Sequence, residues 1–519
     1  GDIAKSKGGY GKGAPSNLIQ YVTWSGNVYD TEKDLQLKDF NSSLERSTMV
    51  GMFGRVAYNY KQKYFLSVTL RRDASSKFGE NTRWGTFPSY AIAYTFTEEP
   101  YMDWARDFLD FGKIRLSYGK SGKQFEYPYF AFGVLIVNNI PFHGNQTITP
   151  YWPNGLINPK LSWEETKQFD AGLDLEFFGN RLSLELDYYY RYTDKLLAQV
   201  TLPGDYNAYT AQWQNAYAIS NQGIELQIKA DLIRSEKLHW DFSFNIARNW
   251  NRLEKSNNGM DFNNLASKHN LNIIGKPLNG IYVFNDKGYY NSQDEVPLYY
   301  VNGRRKYLSS LGNQIYSPGD RRIQDVDGNG QVATIIPLLE DRVYGGSPLP
   351  LAFGGIASTL KWKGIDVNLL FSYKLGRHVL NAGRGASVGT ILRANTAEMM
   401  VPILADLDKV SFWQKPGDNA DFPINELENG KNNFATNLKS NVEKINYLKL
   451  KSISIGYILP VFPKQSKHYA RVFMSVENVF TITNSSSPDP ESIDIVTGVD
   501  SNNNYPLATR YTLGLTLNL

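Results

Sequence analysis

The residue types with the most defined chemistry lie in one acidic segment, residues 325–331, which reads Asp-Val-Asp-Gly-Asn-Gly-Gln. It places oxygen ligands at positions 1, 3 and 5 of a calcium-binding loop: Asp325, Asp327 and Asn329. Gly330 takes the turn position, but position 12 is Ile336 instead of Glu. The next carboxylates are Glu340 and Asp341. The pattern predicts a structural Ca²⁺ or Mg²⁺ site that braces a loop; the alternative is a metal-free polar turn, because Asp-Gly and Asn-Gly adopt turn conformations unaided.

A second segment matches a catalytic pattern. Residues 385–389, Gly-Ala-Ser-Val-Gly, have the spacing of a nucleophile elbow, which needs a strand before Ser387 and a helix after it. The segment falls in a Gly-rich loop, so we interpret it as a chance match. The chain has no Cys, and its five His lack ligand-like spacing: His143, His239, His269, His378 and His468. We therefore expect a protein that is not an enzyme and requires no cofactor.

Composition narrows the class of protein further. The 519 residues carry 55 Lys and Arg against 51 Asp and Glu, so the net charge of +4 lacks the basic excess of a dedicated nucleic-acid binder. No run of 18 apolar residues is present, which excludes membrane-spanning helices. Aromatic residues nevertheless reach 14% of the chain, well above what a helical cytosolic enzyme usually carries.

The elements that must position these residues are β-strands, because apolar and polar side chains alternate along most of the chain. In residues 181–193, Leu or Tyr occupies every even position, and mostly polar or charged side chains lie between them. Residues 169–177 alternate in the same way, and Gly179–Arg181 alone separate the two segments, which predicts a tight hairpin. The pattern recurs to the C-terminus. We count about fourteen strands, the first over Asn17–Trp24.

The connections between predicted strands alternate in length. Short links are predicted near 61–63, 178–181, 234–237, 362–364 and 460–467, with 97–111 somewhat longer. Long links are predicted over 25–46, 73–86, 119–161, 194–218, 251–351, 376–446 and 482–507. This segregation is typical of an outer-membrane β-barrel, whereas a soluble all-β protein has no reason for it. We predict a transmembrane antiparallel β-barrel with long extracellular loops, short periplasmic turns, a periplasmic C-terminus and an apolar face toward lipid.

Several blocks of residues, in the same order along the chain, carry a resemblance to a known family. They are Arg71–Gly79 (RRDASSKFG), Arg83–Ser89 (RWGTFPS), Pro318–Asp320, Asp325–Gly330, Tyr447–Tyr457 (YLKLKSISIGY), Asn478–Thr481 and Asp489–Glu491. Together they resemble the SusC/RagA family of TonB-dependent outer-membrane transporters over essentially Ser47–Leu519. One departure is the final residue, Leu519, where outer-membrane barrels usually end in an aromatic side chain.

The resemblance implies a function. A family barrel closes with 22 strands, so residues 1–519 would be its C-terminal part; the N-terminal extension, TonB box, plug and early strands are not visible here. The complete protein would import oligosaccharides or peptides with a SusD-like lipoprotein as its lid, and the TonB–ExbB–ExbD complex would supply the energy. Nucleic acid is not expected among its partners. A homodimer of importer–lid pairs is also implied. The alternative is a passive pore or structural barrel without a plug.

Exposed aromatic side chains are the best sequence candidates for cargo contact, since such rings stack on sugars or clamp peptides. Four lie in the predicted link 194–218: Tyr206, Tyr209, Trp213 and Tyr217. The alternative is that they pack within the loop or against the lid protein. Tyr289–Tyr290 and Tyr299–Tyr300, in the longest predicted loop, carry the same two interpretations.

Overall fold

The structure is a computed structural model. It describes residues 3–10, 41–126, 131, 135–137, 151–153, 156–202, 211–257, 262–263, 269–301, 303–310, 313–332, 341–383, 411–424, 436–460, 468–501 and 505–518. Regular structure in these residues is almost entirely β-strand, with four short 3₁₀ segments: Phe96–Glu98, Pro100–Ala105, Gln293–Glu295 and Lys439–Asn441. None of the described helical segments has the length and apolar character needed to cross a membrane.

The strands are numbered in chain order. They are β1 (Ile3–Tyr10), β2 (Asn41–Tyr60), β3 (Tyr64–Ser75), β4 (Trp84–Thr95), β5 (Leu109–Lys123), β6 (Leu135–Val137), β7 (Tyr151–Pro153), β8 (Glu164–Phe177), β9 (Leu182–Thr201), β10 (Ala211–Arg234), β11 (Leu238–Lys255), β12 (Phe262–Asn263), β13 (Asn270–Asn272), β14 (Gly280–Phe284), β15 (Asp286–Tyr289), β16 (Leu298–Val301), β17 (Arg304–Tyr307), β18 (Ser309–Ser310), β19 (Arg321–Ile323), β20 (Gln331–Val332), β21 (Arg342–Gly346), β22 (Ala352–Trp362), β23 (Ile365–Asn381), β24 (Val442–Leu459), β25 (Tyr469–Thr483), β26 (Val499–Asp500) and β27 (Arg510–Asn518).

One large antiparallel sheet dominates the molecule. Its fourteen strands pair in the order β1-β2-β3-β4-β5-β8-β9-β10-β11-β22-β23-β24-β25-β27, and β26 adds to β23 in parallel. Every pairing along the fourteen-strand path is antiparallel between consecutive members. The predicted all-β class and the predicted strand number are confirmed.

The large sheet has its tightest connections at one end, which we call the short-turn end. The connections at this end span 61–63, 96–108, 178–181, 235–237, 363–364 and 460–468. Lys363 and Gly364 show why such turns are tight, because their φ angles of 48° and 89° match a two-residue type I′ hairpin. The connections between β5 and β8, β11 and β22, and β23 and β24 are much longer and start and end at the opposite, long-loop end, as predicted. The predicted long link between β3 and β4, however, shrinks to 76–83 and is shorter than 96–108 at the short-turn end.

The two faces of the large sheet differ in polarity, as the alternation predicts. On β9, Leu186, Tyr188 and Tyr190 are exposed on one face, while Asp187 on the other contacts Arg115 of β5. Exposed apolar side chains continue this face across other strands: Val56, Tyr58, Leu66, Ile92, Leu116, Ile224, Ile455 and Met474. Outer-membrane barrels present such a band to lipid.

The structure corrects one predicted boundary and leaves another untested. Strands β9 and β10 continue through most of the predicted link 194–218, so the placement of Trp213 and Tyr217 in a loop is wrong; both pair with β9. The prediction fails because the apolar alternation stops there, while backbone hydrogen bonds continue the ladder without it. The predicted first strand, Asn17–Trp24, lies outside the described residues, and β1 is the first described strand.

The longest connections fold together at the long-loop end. The described residues of 269–346, 411–424 and 436–441 form what we call the loop domain. Its core consists of eight buried side chains: Phe284, Tyr290, Val296, Leu308, Tyr316, Ile323, Val332 and Leu438. Leu438 lies in the connection between β23 and β24, whereas the other seven lie in the connection between β11 and β22. The two connections also share a hydrogen bond, in which the Phe284 backbone N–H donates to Asn437 O at 2.9 Å. The predicted links therefore contain a packed core of their own.

Candidate functional site

The polar face of the large sheet carries networks of ion pairs. Arg115 on β5 donates to both carboxylate oxygens of Asp174 at 2.7 and 2.8 Å, and to Asp187 at 3.0 Å. Gly172 leaves room for this contact, since a Cβ there would lie 2.6 Å from the Arg115 guanidinium carbon. A second bidentate pair joins Arg471 to Asp366. These pairs fix polar groups on the face opposite the apolar band.

The block Arg71–Ser89 builds an aromatic core at the long-loop end. Phe78 and Phe87 contact Trp163, with ring centroids 5.2 and 5.6 Å apart, and the Trp163 indole N–H donates to Arg83 O at 2.9 Å. Gly79 is required by close approach, because a Cβ there would lie only 2.4 Å from Pro159 O. Phe78, Gly79 and Phe87, which belong to the block that carries the family resemblance, are therefore packing residues.

The predicted aromatic contact residues lie in different surroundings. Trp213 packs against the aromatic core, with its ring centroid 5.0 Å from that of Phe125. Tyr217 lies on the same strand, is half-buried and is the cross-strand partner of Leu196 on β9. Tyr206 and Tyr209 lie outside the described residues. For Trp213 the contacts favour packing, and a role of these four side chains in binding cargo stays a prediction.

Two other blocks meet through buried ions. Lys449 on β24, only 3% exposed, lies 3.0 Å from Asp489 and 3.1 Å from Glu491. Burial raises the pKa of the Asp489 carboxyl, but the Glu491 backbone N–H and the Lys449 ammonium outweigh it and hold that pKa below its usual value. The pKa of Glu491 is lowered likewise, because Lys451 and Lys449 outweigh burial.

The same connection, residues 484–501, is attached at a second point. Arg377 on β23 is fully buried, and its guanidinium donates to the backbone carbonyls of Pro348, Ile493 and Asp494. Strand β26 then pairs in parallel with the end of β23. We call residues 484–501 the clamped loop, because a buried cation at each point holds it against the sheet.

The predicted calcium loop has the geometry of a preformed anion cluster. Carboxylate oxygens of Asp325, Asp327 and Asp341 lie within 4.8 Å of one another. Asp325 accepts the backbone N–H groups of Gly328 and Gly330 at 2.7 and 2.8 Å. Asp341 is fully buried and accepts the Val326 N–H at 2.9 Å.

Its remaining neighbours define the ligand set. The predicted ligand Asn329 accepts the Gln331 N–H through Oδ1 at 2.7 Å and donates to Asp327 at 2.7 Å. Burial, a hydrogen bond to Asp325 and its negative charge raise the pKa of Tyr299 to about 12. The carboxylate that joins Asp325 and Asp327 is Asp341. The spacing of the calcium-loop pattern did not predict Asp341 as a ligand, because it lies ten residues after the loop.

The structure also gathers one cluster at the short-turn end that the sequence did not indicate. Asp231, His239 and Asp241 place ligand atoms within 4.8 Å of one another, because Asp231 and Asp241 are cross-strand partners. His239 Nε2 lies 3.0 Å from Asp241, as in a hydrogen-bonded pair. Dispersed His positions therefore did not exclude a His–carboxylate cluster; the hairpin register was the missing information.

Comparison with known proteins identifies the family. Residues 4–381, most of the chain, match the family model described as "TonB dependent receptor-like, beta-barrel". The chain belongs to this family. Its members are outer-membrane receptors and transporters rather than enzymes, which agrees with the predicted location and class.

Relatives of the TonB-dependent receptor family match over nearly the whole chain. TonB-dependent receptor P3 of Formosa agariphila is 29% identical over 98% of this chain and 49% of its own length. TonB-dependent receptor SusC of Bacteroides thetaiotaomicron is 27% identical over 93% of this chain and 45% of its own length. The chain thus spans about half the length of the curated relatives it matches.

A solved structure supports the receptor fold. The RagAB peptide importer in its "closed-closed" state aligns with 99% of this chain and 52% of its own chain, with a TM-score of 0.71 at 21% identity. The family match and the similarity to SusC confirm the sequence resemblance, and this structural similarity confirms the barrel fold.

Proposed function

We propose that this chain forms the C-terminal part of the barrel of an active outer-membrane importer for oligosaccharides or peptides. Upstream residues would supply the remaining strands and a plug, and the TonB–ExbB–ExbD complex would pull on that plug. A SusD-like lipoprotein would cover the long-loop end, and two importer–lid pairs would form a dimer. The short turns and the C-terminus would face the periplasm.

The observation that carries this proposal is a receptor-family sheet whose described residues form a folded domain at the long-loop end. Fourteen strands carry an apolar band on one face and ion pairs on the other, which suits a wall between lipid and an aqueous lumen. The loop domain has its own buried core at the end where cargo would arrive. A passive pore, the alternative, gains nothing from such a preorganised surface.

The energy requirement tests this proposal. We expect deletion of the gene for the complete protein to reduce uptake of its fluorescently labelled cargo, identified by screening oligosaccharide and peptide libraries on the source bacterium. Removal of TonB, or a protonophore, should reduce uptake as much as the deletion does, because a plug opens only when it is pulled. Uptake that continues without TonB would instead support the passive pore.

We also propose that the calcium loop binds Ca²⁺ or Mg²⁺ through Asp325, Asp327 and Asp341, with Asn329 shaping the turn. Three carboxylates within 4.8 Å repel one another unless protons or a cation neutralise them. The oxygen-only donor set suits a hard divalent cation. The ion would brace the loop domain rather than take part in catalysis.

A further inference from the structure

The loop domain contains a polar cavity that none of the sequence patterns indicated. It has a volume of about 580 Å³, within the range of small-ligand sites. Its lining comes from β15, β19 and residues 417–422, and Ser440 and Asn441 complete it. Because these segments belong to two long connections, the cavity exists only when the loop domain is folded. We call it the loop-domain cleft.

Hydrogen bonds across the loop-domain cleft hold its walls in place. Arg321 is buried in the lining and pairs with Asp286 at 3.0 Å. The Tyr289 hydroxyl donates to Ala420 O at 3.1 Å, and the Gly417 N–H donates to Asn291 Oδ1 at 2.7 Å. A site fixed in this way loses little conformational entropy when a ligand binds.

The mouth of the cleft presents polar side chains to solvent. Lys287 and Asn419 are exposed, and their side chains make no hydrogen bond or ion pair with another described residue. Arg322 is also exposed, with its guanidinium 5.9 Å from the Tyr290 ring centroid. These groups offer both donors and an amide acceptor to an incoming molecule.

The lining selects a class of ligand. Three acidic side chains balance three basic ones: Asp286, Asp418, Asp421, Lys287, Arg321 and Arg322. A strongly charged ligand therefore gains no net attraction. The apolar side chains at the wall are few, so peptide side chains would find little apolar surface to bury. A dense mixture of donors and acceptors instead matches closely spaced hydroxyl groups.

From this geometry we propose that the loop-domain cleft is a binding subsite for a neutral oligosaccharide. This inference rests on the proposed import function and specifies its substrate class. The exposed groups at the mouth would contact sugar hydroxyls, and the fixed walls would set the orientation of the chain. The subsite would hold cargo at the long-loop end before transport.

Direct binding to the purified full-length protein tests the subsite. Isothermal titration with malto-, xylo- and manno-oligosaccharides should reveal binding to the wild type. The double variant Lys287→Ala with Asn419→Ala should weaken it roughly tenfold or more, because two hydrogen-bond partners are lost. The control variant Lys276→Ala with Arg304→Ala, which removes exposed side chains outside the cleft, should bind as the wild type does. Equal thermal unfolding of all variants establishes that each is folded.

The outcomes separate this inference from the proposed import function. Peptide binding without oligosaccharide binding, or equal oligosaccharide affinity in both double variants, would overturn the subsite while TonB-dependent uptake leaves the import function intact. Uptake that does not need TonB would instead overturn the import function, whatever the affinities. Loss of affinity confined to the cleft variant, together with TonB-dependent uptake, supports both.

Discussion

At the scale of residues, the calcium loop poses an electrostatic problem that a cation would solve. Asp325 and Asp327 lie in a turn, and the buried Asp341 approaches from a later segment, so three negative charges converge. Backbone N–H groups and the Tyr299 hydroxyl stabilise these charges in part. A divalent ion would neutralise the rest and couple the turn to β21, where Asp341 precedes Arg342.

We therefore predict that Asp327→Asn abolishes stabilisation of the loop domain by Ca²⁺. For the wild type, free Ca²⁺ at about 100 times its dissociation constant should add about 2.7 kcal/mol to the free energy of unfolding. Tb³⁺ luminescence offers a direct measurement, because Tyr299 lies against Asp325 and can sensitise a bound ion. Asp294→Asn, an exposed carboxylate of the same domain, is the control. Equal luminescence from both variants would contradict the assignment.

At the scale of elements, the clamped loop is attached to two strands of the large sheet, β23 through Arg377 and β24 through Lys449. Lys449 and Lys451 alternate on one face of β24, which is a sequence signal for two side chains directed to the same side. Their partners, Asp489 and Glu491, lie about forty residues later and could not be assigned from spacing. Arg377 adds an attachment through backbone carbonyls that does not depend on carboxylates.

Acid should release the carboxylate attachment of the clamped loop. The native pKa values of Asp489 and Glu491 lie below their ordinary values, so both groups stabilise the attachment above the ordinary carboxyl range. That stabilisation is lost as the pH falls through the lowered native values. The protection factors of residues 484–501 against hydrogen exchange, each referred to the intrinsic rate at the same pH, should fall below about pH 4 by more than those of the turn 178–181.

A variant separates this attachment from general acid effects. Lys449→Met leaves two carboxylates without their buried partner and should cost about 3–5 kcal/mol of local stability at neutral pH. Lys444→Met, at an exposed position on the same strand, should cost much less. If residues 484–501 are equally protected from hydrogen exchange in both variants at pH 7, the buried Lys449 does not hold the clamped loop.

The elements also show how far sequence reasoning reaches. Strands such as β9 were predictable because each residue alternates between lipid and an aqueous face, which imposes period two on the sequence. Strands of two to five residues in the loop domain lack that signal, because they are held by a hydrophobic core to which several separate segments contribute. Asp341 and the loop-domain cleft could not be predicted for the same reason: their positions depend on contacts between separate connections.

At the scale of the whole molecule, the two ends of the sheet differ in how much folded structure lies beyond the strands. The short-turn end has little surface beyond its turns, whereas the long-loop end carries the loop domain, the aromatic core and the clamped loop. Among the residues that the structure describes, a partner that recognises this protein specifically would find most of the preorganised surface at the long-loop end. The proposed lipoprotein lid therefore belongs at the long-loop end, with cargo enclosed between the two proteins.

Site-specific photo-crosslinking on the complete protein tests this arrangement. Tyr300 is 71% exposed on the β16–β17 hairpin of the loop domain, so a photoreactive benzoylphenylalanine in its place should capture the lipoprotein. The same replacement of Lys61, in a turn at the short-turn end, should capture none, and that of Tyr58, on the apolar band, should react with lipid. A lipoprotein adduct at position 61 but not at 300 would place the partner at the opposite end of the sheet. Capture at 300 alone, at a one-to-one ratio, would establish the lid where the loop domain and its cleft face incoming cargo.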